Sequence, residues 1–134
     1  MNMSEDQKEQ TYSLNQIYFY LTEGCNLRCR HCWIAPKFQD KGRSYPVLSV
    51  DLFRSIVEQA KPLGLSSVKL TGGEPLMHPE ITEILSRIRE EDLNLNIETN
   101  GVLCTHEIAR QIGECKNPFV SVSLDGANAE THEW

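Results

Sequence analysis

The sequence has no long apolar run. Its longest apolar stretches, such as residues 17–21, are far shorter than the roughly 20 residues that a helix needs to cross a bilayer. The first ten residues, MNMSEDQKEQ, also lack the apolar segment on which a secretory signal depends. These absences argue against a membrane-embedded or exported protein, and we expect a cytoplasmic one.

An excess of positive charge is missing too. The 134-residue chain has 13 Lys and Arg against 19 Asp and Glu, which gives a net charge of −6. Nucleic acids and anionic membranes usually attract a basic patch, so neither is expected as a partner. With 40% hydrophobic and 24% charged residues, the composition is that of one globular domain. In a reducing compartment, its five cysteines indicate metal or redox chemistry before disulfides.

Cysteine is concentrated in one short stretch. Cys25, Cys29 and Cys32 fall within eight residues, with the spacing C-x3-C-x2-C. Thiolates bind soft or borderline metals, and three of them on one loop can converge on one metal centre. Closed zinc sites and ordinary iron–sulfur sites use four protein ligands. Either a fourth ligand comes from elsewhere, or one metal position stays open for a small molecule.

Two interpretations of this cysteine loop follow. In the first, a structural zinc ion takes His31 or Cys104 as its fourth ligand. Zinc ribbons usually present paired C-x2-C knuckles, and His31 is adjacent to Cys32, which disfavours this interpretation. In the second, the three thiolates hold a [4Fe–4S] cluster whose fourth iron is free to bind a ligand. We expect Cys104 and Cys115 to be buried or incidental thiols.

Strand-like and helix-like segments alternate along the chain. Apolar residues on one helical face predict helices at about 50–61, from Pro79 onward and after Thr105. β-branched and aromatic runs predict four strands, at residues 17–21, 67–70, 93–99 and 119–124. This alternation predicts right-handed βαβ units and a parallel sheet, so the fold class is α/β.

The third and fourth predicted strands each have an apolar and a polar phase. In the third strand, Leu95 and Ile97 alternate with Asn94, Asn96 and Glu98. The fourth strand alternates in the same way, its apolar residues being Val120, Val122 and Leu124. We expect the apolar phases to pack on the helices and the polar phases to line a wet or ligand-filled interior, because a packed core would not tolerate them.

Distinctive segments stand where the predicted strands end. They are the cysteine loop, Gly72-Gly73-Glu74-Pro75, Thr99-Asn100-Gly101 and Asp125-Gly126. Ligands bind at the carboxyl ends of parallel strands, so we expect all four segments to face one site. Glu74 suits an ammonium group, and the two glycines before it would let the backbone approach a ligand. Asn100, Ser123 and Asp125 offer groups for a ribose, although Asn-Gly and Asp-Gly are also ordinary turns.

Together these motifs resemble the radical S-adenosylmethionine (radical SAM) superfamily. Cys25-x3-Cys29-x2-Cys32 is similar to its signature loop, and Gly72-Gly73-Glu74-Pro75 to its methionine-binding motif. Glu98-Thr99-Asn100-Gly101 and Ser123-Leu124-Asp125-Gly126 resemble segments of a branch of peptide- and cofactor-maturing enzymes, the SPASM or twitch type. The resemblance covers residues 16–134. It implies the N-terminal half of a radical SAM domain, a partial (β/α) barrel that follows a flexible lead-in of residues 1–15.

The resemblance also implies a cofactor set. Cys25, Cys29 and Cys32 would each hold one iron of a [4Fe–4S] cluster, and S-adenosyl-L-methionine would chelate the fourth. The methionyl ammonium would be held at Gly72, Gly73, Glu74 and Pro75. The adenine would lie near His31, and the ribose and carboxylate ends would contact Asn100, Ser123 and Asp125.

The implied reaction is a reductive cleavage. An electron from a donor such as flavodoxin or ferredoxin would convert S-adenosylmethionine to a 5′-deoxyadenosyl radical, which abstracts hydrogen from a peptide or small-molecule precursor. The family barrel usually has more βα units than this chain supplies. We therefore expect the chain to be a fragment that is inactive on substrate and self-associates through an open sheet edge. The alternatives are a non-catalytic iron–sulfur or zinc module, which leaves the Gly-Gly-Glu-Pro motif unexplained, and a structural α/β fragment that needs a partner.

Overall fold

The structure is a computed structural model that describes residues 12–35, 37–38 and 44–133. Its strands are β1 (Gln16–Tyr20), β2 (Gly24–Cys25), β3 (Lys37–Phe38), β4 (Ser67–Thr71), β5 (Asn94–Thr99) and β6 (Lys116–Val122). Its α-helices are α1 (Val50–Ala60), α2 (Ile81–Glu90), α3 (His106–Gly113) and α4 (Ala129–His132). Short 3₁₀ helices follow α1 and β4, at Lys61–Leu63 and Pro75–Met77.

Four strands form a parallel sheet in the order β1-β4-β5-β6. In its centre, Val68 of β4 pairs with Ile17 of β1 on one side and with Leu95 of β5 on the other. The predicted α/β fold with a parallel sheet is confirmed. Residues 1–11 of the predicted flexible lead-in lie outside the described residues, and the domain boundary at residue 16 stays a prediction.

A second parallel pair joins β2 to β3, so that Cys25 lies opposite Phe38. This short pair was not predicted from the sequence. Strands of two residues are too short to show a periodicity of their own. Gly24 and Cys25 are thereby paired with a strand outside the main sheet.

Helices α1, α2 and α3 pack against the sheet, whereas α4 has no buried residue. Side chains from α1, α2 and the strands form one buried core, whose largest fully buried members are Phe53, Leu21, Leu70, Ile84, Leu85, Ile88, Leu93, Leu95 and Ile97. The Ser49 and Thr105 side chains cap α1 and α3 by accepting from the Leu52 and Ile108 amides, each at 3.2 Å. For β5, the two predicted phases are confirmed, because Leu95 and Ile97 are buried and Asn96 is partly exposed.

The edge strand β6 differs from the prediction. Val120, Val122 and Leu124 were expected to pack on the helices, but they are 43%, 57% and 74% exposed. The expectation is wrong because β6 has a strand neighbour, β5, on one side and ends the sheet. Among the helices of the described residues, none has the length and apolarity that crossing a membrane would require.

Candidate functional site

The cysteine loop leaves the sheet directly after β1. Cys25 is buried at 8% exposure, Cys32 is partly exposed and Cys29 is exposed. The Cys32 amide donates to the Cys29 carbonyl at 3.2 Å, which turns the chain between these two residues. The loop thus begins inside the fold and ends at its surface, which gives the three thiols different access to solvent.

The electrostatics of Cys25 fit a cationic group at this loop. Burial raises the pKa of the Cys25 thiol, the Leu27 backbone lowers it, and the charges of Glu74, Cys29 and Cys32 raise it further. The negative charges around Cys25 thus disfavour its thiolate, and a bound metal cation would offset them. In the part of the chain that the structure describes, no three His, Cys, Asp or Glu side chains lie close enough to hold a metal ion. The fit to an iron–sulfur group rests on the donor chemistry.

Gly72 and Gly73 let two backbone segments approach closely. Gly72 has a φ of 122°, and a Cβ there would lie 2.8 Å from the Thr22 carbonyl oxygen. A Cβ on Gly73 would overlap the Gly24 carbonyl. The Gly73 amide donates to the Thr22 carbonyl at 2.9 Å and the Glu74 amide to the Gly24 carbonyl at 2.8 Å. The sequence predicted an approach to a ligand, but this approach is to the chain that enters the cysteine loop.

Glu74 is a buried carboxylate with three hydrogen-bond donors around it. It is 1% exposed. Its Oε1 accepts from the Leu76 amide at 3.0 Å and from Thr99 Oγ1 at 2.6 Å, and its Oε2 accepts from the Asn100 amide at 2.8 Å. The side chain therefore joins the end of β4 to the end of β5. Its predicted contact with an ammonium group stays a prediction.

Asn100 connects the end of β5 to the cysteine loop. Its Nδ2 donates to Asn26 Oδ1 at 2.8 Å, and its Oδ1 accepts from the Val102 amide at 3.0 Å. Sequence reasoning missed Asn26. Its position directly after Cys25 is the one signal that could have drawn attention to it.

A cavity of about 750 Å³ opens between the cysteine loop and the ends of β5 and β6. Five predicted site residues line it: Cys29, His31, Asn100, Ser123 and Asp125. At its rim, His31 Nε2 lies 3.4 Å from Asp125 Oδ1, and both side chains are largely exposed. These residues come from three separate segments, which the fold brings to one cavity.

Gly72 and Gly73 line a different cavity. It has a volume of about 580 Å³, and its other walls include Tyr20, Thr22 and Pro46. Pro75 is buried in the 3₁₀ turn that follows. The predicted site residues are therefore divided between two cavities.

The polar face of the sheet contains an ion pair that sequence reasoning also missed. Lys69 Nζ lies 2.5 Å from Glu98 Oε1 and 4.8 Å from the centre of the Tyr18 ring. Thr71 Oγ1 donates to Glu98 Oε2 at 3.1 Å. The hydrogen bond from Lys69 lowers the pKa of Glu98, against a smaller opposing effect of burial. Polar residues on neighbouring strands thus stabilise one another, which a single strand's pattern does not reveal.

Comparison with known proteins identifies the family. The model of the radical SAM superfamily matches residues 19–134. The chain belongs to the radical SAM superfamily. The family resemblance of the cysteine and Gly-Gly-Glu-Pro motifs is thereby confirmed, and the family uses a [4Fe–4S] cluster and S-adenosylmethionine.

Curated radical SAM relatives are much longer than this chain. The AdoMet-dependent heme synthase of Methanosarcina barkeri is 37% identical over 119 residues, which are 87% of this chain and 33% of that protein. The mycofactocin maturase MftC of Mycobacterium tuberculosis is 31% identical over 84% of this chain and 28% of its own length. The chain therefore spans about a third or less of these relatives.

Solved structures confirm the fold. Streptococcus suis SuiB bound to its precursor peptide SuiA matches with a TM-score of 0.76 and 23% identity, over 91% of this chain and 26% of SuiB. SuiB bound to S-adenosylmethionine matches with a TM-score of 0.74 and 23% identity, over 91% of this chain and 27% of SuiB. The sheet and its helices are thus part of a radical SAM barrel, as the sequence predicted.

Proposed function

We propose that this chain is the cluster- and cofactor-binding part of a radical SAM enzyme that acts in peptide or cofactor maturation. One observation carries the proposal. In a chain of this superfamily, the segment that enters the cysteine loop is hydrogen-bonded to Gly73 and Glu74, and the loop itself is bonded to Asn100, at the carboxyl ends of two parallel strands. That is the edge at which parallel sheets bind ligands.

The cysteine thiolates would hold the cluster. Cys25, Cys29 and Cys32 would each bind one iron of a [4Fe–4S] group, whose positive charge would offset the negative charges that raise the pKa of Cys25. When bound, this cofactor set supplies the one-electron cleavage of S-adenosylmethionine to a 5′-deoxyadenosyl radical. Cys25, being buried, would shield its side of the cluster from water, while Cys29 lies on the accessible side.

The methionyl end of S-adenosylmethionine would lie by the Gly-Gly-Glu-Pro turn. The Gly72 and Gly73 backbone lines a cavity there, and the buried charge of Glu74 would favour an ammonium group nearby. Pro75 fixes the turn by restricting its own φ angle. The ammonium would be held chiefly by the backbone, because the Glu74 oxygens already accept three hydrogen bonds.

The adenosyl end would lie in the larger cavity. His31 offers a ring that can stack on adenine, and Asn100, Ser123 and Asp125 supply polar groups for the ribose and carboxylate. The pair formed by His31 and Asp125 would order the rim of this cavity. The smaller cavity is lined by residues that flank the cysteine loop, and the larger one by residues of the loop itself.

The names of relatives support a maturation reaction. One relative is a mycofactocin maturase, another acts in biosynthesis of the antilisterial bacteriocin subtilosin, and SuiB was solved with a precursor peptide. We propose a precursor peptide as substrate and a reduced flavodoxin or ferredoxin as electron donor, in the cytoplasm. The relative that is a heme synthase makes a tetrapyrrole precursor the alternative substrate class to test.

The proposal is tested by product analysis of the full-length gene product. Reconstituted anaerobically and reduced in the presence of S-adenosylmethionine, it should release 5′-deoxyadenosine. Cys29→Ala should abolish this release, and Cys104→Ala, at an exposed thiol that lines neither cavity, should not. A wild-type protein that binds zinc, holds no cluster and releases no 5′-deoxyadenosine would instead support the non-catalytic metal-binding module.

A further inference from the structure

Asn26 makes a side-chain hydrogen bond that crosses from the cysteine loop to the end of β5. Asn100 Nδ2 donates to Asn26 Oδ1 at 2.8 Å, between residues 74 positions apart in the chain. The protein itself fixes the orientation of the Asn100 amide, because its Oδ1 accepts from the Val102 amide. The Asn100 nitrogen must therefore face Asn26, and the Asn26 side chain must offer its oxygen.

This bond completes a ring of hydrogen bonds around Cys25. The Gly24 carbonyl, directly before Cys25, accepts from the Glu74 amide at 2.8 Å. Glu74 Oε2 accepts from the Asn100 amide at 2.8 Å, and Asn100 in turn donates to Asn26, directly after Cys25. The chain is thus tied to the ends of β4 and β5 on both sides of the first cysteine.

The ring separates a fixed part of the cysteine loop from an exposed part. Cys25 is 8% exposed, and its neighbours on both sides are bonded to other elements. Cys29 lies on the surface, and the Cys32 amide is bonded within the loop, to the Cys29 carbonyl. The segment that includes Cys25 is therefore the buried anchor of the loop, while His31 contacts Asp125 at the exposed end.

We propose that Asn26 is a positioning residue that holds the Cys25 thiolate, and through it the iron–sulfur cluster, at a fixed place over the ends of β4 and β5. The inference rests on the proposed function, since it concerns where that cluster sits. Asn26 acts through its bond with Asn100, its Oδ1 also lies 4.0 Å from Cys25 Sγ, and it is not itself a ligand of the metal. The reaction requires a cluster held in one place relative to S-adenosylmethionine, because electron transfer and bond cleavage depend on that distance.

The chain offers a matched control. Asn117 Nδ2 donates to Asn94 Oδ1, also at 2.8 Å, at the opposite ends of β5 and β6. Asn117→Ala removes the same kind of bond far from the cysteine loop. Asn26→Leu removes the Asn26 bond at similar side-chain volume, and Asn26→Asp keeps an oxygen that can accept from Asn100. The four proteins, wild type included, are reconstituted anaerobically with iron and sulfide.

Two readouts decide the role of Asn26. The first is the rate at which each reconstituted protein loses iron to an excess of chelator. We expect Asn26→Leu to lose iron roughly three- to tenfold faster than wild type, as the loss of one hydrogen bond allows. Asn26→Asp and Asn117→Ala should stay within about twofold. The second is deuterium uptake by residues 24–32 in the cofactor-free chain, which should increase in Asn26→Leu alone.

Each outcome has one meaning. If Asn26→Leu matches wild type in both readouts, or if Asn117→Ala loses iron as fast as Asn26→Leu, the inference is wrong. Iron retention in Asn26→Asp supports the inference, because this variant keeps the oxygen that accepts from Asn100 and lacks only the amide nitrogen. If the wild-type protein takes up no cluster, the proposed function fails, and hydrogen exchange in the cofactor-free chain then decides whether Asn26 fixes the loop.

Discussion

Replacing Glu74 should damage the fold as much as the site. The Glu74 carboxylate accepts from the Leu76 amide, the Thr99 hydroxyl and the Asn100 amide while 1% exposed. Glu74→Ala leaves these donors without their acceptor in a buried place. Each such loss costs about 1–3 kcal/mol, and partial relaxation leads us to expect a total loss of roughly 3–5 kcal/mol in the free energy of unfolding.

Glu74→Gln provides the graded comparison. The glutamine oxygen can replace Oε1, which accepts from Leu76 and Thr99, but the amide nitrogen then faces the Asn100 amide, so that two donors meet. We expect a smaller loss, about 1–3 kcal/mol. Glu58 is an exposed carboxylate 3.7 Å from Arg54, and Glu58→Ala should change stability by at most about 0.5 kcal/mol.

The measurement is urea unfolding of the cofactor-free chain, followed by circular dichroism. The order of stability should be wild type and Glu58→Ala together, then Glu74→Gln, then Glu74→Ala. If Glu74→Ala unfolds at the same urea concentration as Glu58→Ala, Glu74 does not join β4 to β5 in the way the structure indicates. In that case its main role would be the direct contact with the ammonium group that the sequence predicted.

Three further predictions concern other parts of the chain. Gly73→Ala should lower the free energy of unfolding by roughly 2–4 kcal/mol, because a Cβ there overlaps the Gly24 carbonyl. Gly113→Ala, in open space on α3, should be neutral or slightly stabilising. Equal urea midpoints for the two variants would contradict this prediction. The bond from Lys69 lowers the pKa of Glu98, so the stability that this ion pair contributes is present above the normal pKa of 4.5 and is lost as the pH falls through the lowered pKa. In Glu98→Gln, the melting temperature should therefore fall less on acidification than in wild type. The same fall in melting temperature in both proteins would contradict this prediction. The open edge of β6 should pair with a second copy of the chain, and Val120→Lys should weaken that association. The measurement is sedimentation over a range of concentrations. A wild-type protein that stays a monodisperse monomer at high concentration would contradict this prediction.

The sequence was sufficient to predict the sheet and the family. The alternation of Leu95 and Ile97 with polar residues predicts a strand with one buried face, because side chains in a strand alternate by geometry alone. The spacing of the cysteines and the Gly-Gly-Glu-Pro segment predicts the superfamily, because each motif is local in the chain.

The roles of single site residues could not be predicted in the same way. Whether Glu74 faces a ligand or the protein depends on Thr99 and Asn100, which are 25 and 26 residues away. The bond between Asn26 and Asn100 joins residues 74 positions apart, and no local pattern encodes it. The exposure of Val120 depends on the place of β6 at the sheet edge, which is a property of the whole sheet.

The central claim is that Cys25, Cys29 and Cys32 hold a four-iron cluster with one open iron. Its most direct test is the metal and acid-labile sulfide content of the chain after anaerobic reconstitution. We predict about four irons and four sulfides per chain, lost in Cys25→Ala, Cys29→Ala and Cys32→Ala and retained in Cys115→Ala. One zinc per chain with no sulfide, or a cluster that survives the loss of any of the three cysteines, would contradict the account.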